Sequence, residues 1–271
     1  MILASLKIKS FIFVPLFILP VVSIVLSLTI FPLKWSNRGV GSWRFLKTWL
    51  SPWRAYVAEF LGTFVFVFIS SGAVLTNIFF GEVGLLGVAL VTGLSITTMM
   101  LATVNISGGH LNPAVTLALW LSQKVRGTVA VFYMCAQILA SFTAAGLLLF
   151  IFGTDSLQYK LGGPALGAGI SDQTGLVIEA TLTAILVFVV FATLVDKRGS
   201  VSFGPLAVGL IVLIAGVFAG PLTGAVLNPA RALGPLLISG SSDITVWIVG
   251  PATGALFGLV YDFLFLGGGR K

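Results

Sequence analysis

The stretch Leu227-Asn228-Pro229-Ala230-Arg231, together with its echo Leu111-Asn112-Pro113-Ala114-Val115, decides how this chain folds. In both copies an Asn stands where a helix would begin. The Pro behind it suits the first helical position, where its missing N–H is one the helix would not use. Each copy therefore predicts a helix start. The Asn side-chain oxygen is placed to accept from first-turn N–H groups, which leaves its NH₂ free to donate elsewhere. A helix N-terminus also carries roughly half a positive charge. Two electropositive amide tips in one apolar chain suggest a facing pair.

The surroundings of these motifs are hydrocarbon-like. Of 271 residues, 58% are hydrophobic and 8% are charged, and mean hydropathy is +1.12. A soluble domain cannot keep so much apolar surface from water. A bilayer core of ~30 Å takes about 20 helical residues, and residues 60–81, 83–110, 127–154, 180–195 with their approach from 173, 201–230 and 244–261 supply such runs. The chain reads as a multi-pass, all-α integral membrane protein. Its formal charge of +7 does not indicate nucleic acid, because the basic residues are scattered between spans instead of forming a patch with aromatics. The lone Cys135 lies within an apolar run, which rules out an intrachain disulfide and favours packing over a thiol lining a pore.

Two halves of the chain repeat. Glu59, a span, Asn112 and a further span are matched by Glu179, a span, Asn228 and a last span, with Glu-to-Asn intervals of 53 and 49 residues. Three crossings per half reverse the orientation of the second, so the repeats are inverted. Residues 1–50 form a hydrophobic extension and basic linker, with 11–33 as a candidate extra helix. Residues 51–271 form the membrane domain proper, with repeats at about 55–152 and 175–266. Linker 34–54, the Lys124/Arg126 and Lys197/Arg198 turns and the Arg270/Lys271 tail hold eleven Lys or Arg, whereas the opposite loops hold only Lys160. That bias places the linker and the C-terminus in the cytoplasm. The Gly-rich connection 153–175 reads as a flexible loop.

Segments 112–121 and 228–239 are too short to span, so each must dip into the membrane and stop. Loops 105–111 and 220–227 supply non-helical backbone, tolerated at that depth only when buried in protein or lining a wet cavity. In an inverted pair the half-helices meet tip to tip near the midplane, at a pore. Small residues four apart, at Ala58/Gly62, Ala136/Ala140/Ala144 and Gly250/Gly254/Gly258, provide close helix packing.

The runs Ser107-Gly108-Gly109-His110-Leu111-Asn112-Pro113-Ala114-Val115-Thr116 and Gly224-Ala225-Val226-Leu227-Asn228-Pro229-Ala230-Arg231 resemble the aquaporin, or major intrinsic protein, family over about 52–266. The resemblance implies six spans plus two half-helices, a pore in each subunit and a homotetramer. It assigns Asn112 and Asn228 as midplane donors and Arg231, Thr92, Gly216 and Ala225 as the narrow filter. Water-selective members carry an aromatic at the Thr92 position and a His at the Gly216 position, and glycerol facilitators carry two aromatics. This chain has neither arrangement. Gly216 and the run 220–224 resemble the glycerol branch, yet Ala232 replaces its usual Asp.

The function expected is a passive channel for water and small uncharged solutes such as glycerol, urea or metalloid hydroxy acids, excluding protons and ions. A filter of such small residues leaves a gap that Phe218 or a group from the Gly-rich connection could narrow. Arg231 must face a wet cavity or pair with an acid. Glu59 and Glu179 serve either to hold the Asn-bearing loops or, in the alternative of a proton-coupled secondary transporter, to relay protons. His110 is a structural partner of its loop or a pH sensor. No catalytic constellation, metal-ligand cluster or cofactor motif is present, which argues against an enzyme.

Overall fold

The structure is a computed structural model that describes residues 52–267. The candidate N-terminal helix and most of the basic linker lie outside the described residues, as does the Arg270/Lys271 tail. Among the described residues, six helical segments are long and apolar enough to cross a bilayer: α1 (Trp53–Phe80), α2 (Gly84–Ser107), α4 (Gly127–Phe152), Asp172–Val195, α6 (Gly204–Thr223) and Thr245–Phe265. The fourth is α5 (Asp172–Val190) continued by a π-helical turn, Phe191–Val195. The sixth is divided into α8 (Thr245–Ala255) and α9 (Phe257–Phe265). Between spans lie the half-helices α3 (Pro113–Leu121) and α7 (Pro229–Ile238).

The two half-helices are entered in the same way. Helices α2 and α6 end at Gly108 and Gly224, whose φ angles of 89° and 83° are left-handed and whose N–H groups donate to Val104 O and Gly220 O. Asn112 and Asn228 are extended, and each caps the helix behind it, with its Pro in the first turn. The non-helical backbone is shorter than the sequence implies. Helix continues through Ser107 and Thr223, past Pro221, so that only residues 108–112 and 224–228 leave it. The reason is energetic, since each unpaired backbone group in hydrocarbon costs several kcal/mol, roughly, and the helix persists until a cap replaces its bonds.

Helix α2 packs along α6 and α5 along α8, while each half-helix rests on the last span of the other repeat, α7 on α4 and α3 on α8 and α9. Small residues make these approaches possible. A Cβ on Gly254 would stand 2.4 Å from Ala180 O, and one on Gly234 2.3 Å from Ser141 O. At that second crossing the Ser141 hydroxyl donates to Ala230 O and accepts from Gly234 N. Apolar side chains such as Leu86, Val177 and Phe263 face outward, as a lipid-embedded body requires. Cys135 lines neither cavity, as expected, but its side chain is exposed and not packed. Helix α4 carries its inward face on Tyr133, Gln137 and Ala140, and position 135 falls on the opposite side.

The two ends of the molecule differ. The basic face, bearing Lys124 and Arg198, carries two ion pairs, Lys124 Nζ to Asp262 Oδ1 and Arg198 Nη2 to Asp196 Oδ2, both at 2.5 Å. Arg198 also donates to Phe265 O at 2.9 Å, and the neighbouring guanidinium holds the Asp196 carboxyl well below the usual carboxylate range. The opposite face carries the connector 153–171, which is pinned rather than loose. Its 3₁₀ segment Thr154–Gly162 buries Ser156 and Leu161, and Gly167 N donates to Leu222 O at 2.8 Å. Gly162, Gly163 and Gly167 are there for close approach, since a Cβ on them would stand 2.1 Å from Ser71 O, 2.8 Å from Lys160 O and 2.3 Å from Pro221 O.

Gly234→Val drives a branched side chain into the α4 backbone and should lower stability by about 2 kcal/mol or more. Gly146→Ala, which points into open space, should leave melting in detergent unchanged. Equal melting temperatures for the two variants would contradict this packing.

Candidate pore site

Each broken stretch of backbone is held by one buried carboxylate. Glu59 Oε1 accepts from Ser107 Oγ at 2.6 Å and His110 N at 2.9 Å, and Oε2 from Leu111 N at 2.7 Å and Gln137 Nε2 at 2.8 Å. Glu179 repeats the pattern: Oε1 accepts from Thr223 Oγ1 at 2.7 Å and Val226 N at 2.9 Å, and Oε2 from Leu227 N at 2.9 Å. Both are fully buried. The hydroxyls add one link each, with Gly109 N donating to Ser107 Oγ and Ala225 N to Thr223 Oγ1. Tyr133 Oη and Trp247 Nε1 then donate to the last helical carbonyls, Ser107 O and Thr223 O, each at 2.8 Å.

With their N–H groups turned toward Glu, the loops leave their carbonyls open. Among the described residues, the carbonyl oxygens of 108–110 and 224–226 accept no hydrogen bond from protein. The loop backbone is left-handed at matching non-glycine positions, Leu111 (φ 48°) and Leu227 (φ 54°). Such residues cost about 1 kcal/mol or more apiece and persist where the surroundings over-determine them.

The two Asn residues are joined across the repeat boundary. Asn112 Oδ1 accepts from Ala114 N at 2.8 Å while its Nδ2 donates to Leu227 O at 2.9 Å. Asn228 Oδ1 accepts from Ala230 N at 3.0 Å while its Nδ2 donates to Leu111 O at 2.9 Å. The amides are therefore not wholly free, as the sequence reading had them. One N–H of each braces the opposite loop, and one remains to donate.

His110 belongs to the support of the first loop. Thr116 Oγ1 gives its only hydrogen to Asn112 O and accepts from Gln137 Nε2, so the 3.1 Å contact with His110 Nδ1 makes that nitrogen the donor. The ring stands edge-on to Tyr133, with centroids 4.9 Å apart.

Two cavities reach this centre. One, of about 330 Å³, opens toward Lys124 and is lined by His110, Asn112, Asn228 and a sleeve of Val and Leu. The other, of about 490 Å³, opens beneath the connector and is lined by all four filter positions, Thr92, Gly216, Ala225 and Arg231. Phe66, Val212 and Val226 border both. Arg231 is 6% exposed and, among the described residues, makes no ion pair, so pairing with an acid does not occur. Thr92 spends its hydroxyl hydrogen on Val88 O. A side chain at Gly216 would start 3.0 Å from Ala89 Cβ, so the glycine serves the α2–α6 contact as well as the cavity. Phe218 is 64% exposed and lines no cavity, whereas Gln158, Tyr159 and Lys160 of the connector do.

Residues 46–261 match the family described as Major intrinsic protein. The chain belongs to that family. It is 44% identical over 227 residues to aquaporin TIP4-4 of Zea mays, covering 80% of this chain and 88% of that one. It is 39% identical over 207 residues to aquaporin NIP3-1 of Arabidopsis thaliana, covering 74% of this chain and 64% of that protein. Among solved structures, the X-ray structure of the aquaglyceroporin from Plasmodium falciparum superposes with a TM-score of 0.71 at 27% identity, covering 80% of this chain and 98% of that one. As a major intrinsic protein the chain is a channel and not an enzyme.

Several site residues were not singled out from sequence. Ser107 and Thr223 sit at one offset before each Asn, a signal that comparison of the repeats contains. Gln137, Ser141 and Lys160 have no counterpart in the other repeat that would mark them.

Glu179→Gln sets an amide NH₂ against the N–H or hydroxyl donors of Val226, Leu227 and Thr223. The loss should be about 2–3 kcal/mol, read as a lower melting temperature in detergent together with slower water flow in vesicles. Unchanged values for both would show that the carboxylate does not hold the loop.

Proposed function

We propose that the two cavities are the halves of one pore and that Asn112 and Asn228 are its central donors. The reciprocal Asn-to-carbonyl bracing carries this reading. It fixes two amides so that each keeps one N–H for a passing oxygen. A water that accepts from both turns its hydrogens outward toward the open loop carbonyls on either side. The single-file hydrogen-bond chain a proton would follow is interrupted there, and two positive half-helix tips with Arg231 oppose cations.

The filter positions support passage of more than water. Thr92, Gly216 and Ala225 present small side chains around Arg231, and glycerol, urea and undissociated metalloid hydroxy acids are the solutes proposed. The names of the relatives, aquaporins and an aquaglyceroporin, point the same way. Proton-coupled transport is not favoured, because Glu59 and Glu179 are buried, line neither cavity and are committed to loop donors. The basic face is assigned to the cytoplasm by the positive-inside rule, in a plasma or cell inner membrane. The assembly is assigned as a homotetramer on family resemblance. Cross-linking in native membranes that ended at dimers would count against four copies.

Proteoliposomes test the solute reading. Osmotic water flow above protein-free vesicles, with glycerol and urea uptake also raised, is the expected result. Thr92→Phe should cut glycerol and urea flux by on the order of tenfold while sparing most water flow. Water flow without glycerol or urea flux in the unmodified protein would overturn the wide filter.

A further inference from the structure

We infer that the cavity beneath the connector is a binding site for a small oxyanion, a carboxylate of formate or acetate size, held between Lys160 and Arg231. The charged residues lining this cavity of about 490 Å³ are these two, both cations. The acids nearest in sequence to that end, Glu82, Asp155, Asp172 and Asp243, do not line it. Among the described residues the ion pairs involve Lys124, Asp262, Arg198 and Asp196, and leave Lys160 and Arg231 without one. Arg231 Nη1 is moreover buried with no hydrogen-bond partner. A buried guanidinium lacking a counter-charge is a costly arrangement that water relieves partly and an anion more fully. Planar carboxylate oxygens also match the guanidinium fork.

Lys160 is placed for this role by the connector and not by chance of a mobile tail. Lys160, Leu161 and Gly162 are successive left-handed residues, with φ of 53°, 52° and 71°. Leu161 is fully buried, and Gly163 N closes the turn on Lys160 O at 2.8 Å. The ammonium lies 5.9 Å from the centroid of the Trp247 ring, a weak hold that a carboxylate in the cavity can outcompete. Thr92, Asn77, Gln158 and Tyr159 add neutral polar groups to the wall.

The anion stops there. Beyond the filter the wall shared with the second cavity is Phe66, Val212 and Val226, and stripping water from a charge against such a wall is prohibitive. A bound carboxylate therefore occupies the entrance without crossing it. That it slows water flow rests on the pore reading above; that it binds does not.

Saturation-transfer NMR on the purified full chain in detergent, with sodium formate as probe and formamide as the neutral control, tests binding. Formate should receive saturation and formamide should not, with Lys160→Gln weakening formate by about tenfold and Lys160→Arg by no more than about twofold. In proteoliposomes, formate at equal concentration on both sides should slow osmotic water flow of the unmodified protein and not of Lys160→Gln, each compared with its own formate-free rate. Equal binding by the unmodified protein and Lys160→Gln, or equal signals from formate and formamide, would overturn the site. Normal water flow with no formate binding would defeat this inference alone. Lys160-dependent binding in vesicles that pass no water would defeat the pore reading and leave this one standing.

Discussion

Everything in this fold depends on what happens to backbone N–H groups where helix is interrupted inside hydrocarbon. A pore needs exposed carbonyls, and exposing them means breaking the helical ladder where water cannot repair it. Glu59 and Glu179 meet that demand by collecting the orphaned N–H groups on the side away from the cavities. The carbonyls are then oriented without being paired. The shortness of the interruptions follows from the same economy, as do the left-handed residues within them, because the loop must present successive donors to one carboxylate over very few residues.

The architecture was readable because it is written in local signals. Asn-Pro at a helix start, six uncharged runs and the matched Glu residues each have a one-dimensional signature, and two copies in inverted order exclude most alternatives. What stayed hidden depends on which residues meet in space. The Asn amides find partners more than a hundred positions away, at Leu227 O and Leu111 O, and no local rule points there. Phe218 turned outward because the helix period places position 216, not 218, on the α2 contact. The connector's pinning is not legible in its sequence, because glycine records close approach and freedom with the same letter.

The halves share a plan without being copies. Glu59 has a fourth donor in Gln137, whereas the corresponding face of α8 offers Gly250, whose missing side chain lets the backbone close on Glu179. Both loops hang on their Glu, but only the first adds a polar extension through Gln137, Thr116 and His110; at the matching place the second has the close approach of Gly250. The mouths have diverged as well: one carries compensated ion pairs, and the other holds cations without counter-charges. Solutes approaching from opposite sides therefore meet different chemistry before reaching the same centre.

The exchanged amide bonds carry a consequence for biogenesis. Leu111 O and Asn112 Nδ2 have their partners 117 and 115 residues further along the chain. While a ribosome is still making the second repeat, the first re-entrant segment has Glu59 to hold its N–H groups but lacks these two bonds, an unfinished joint in the middle of a bilayer. Forming either bond takes both segments, and a chain truncated between them has a half-latch with nothing to fasten it.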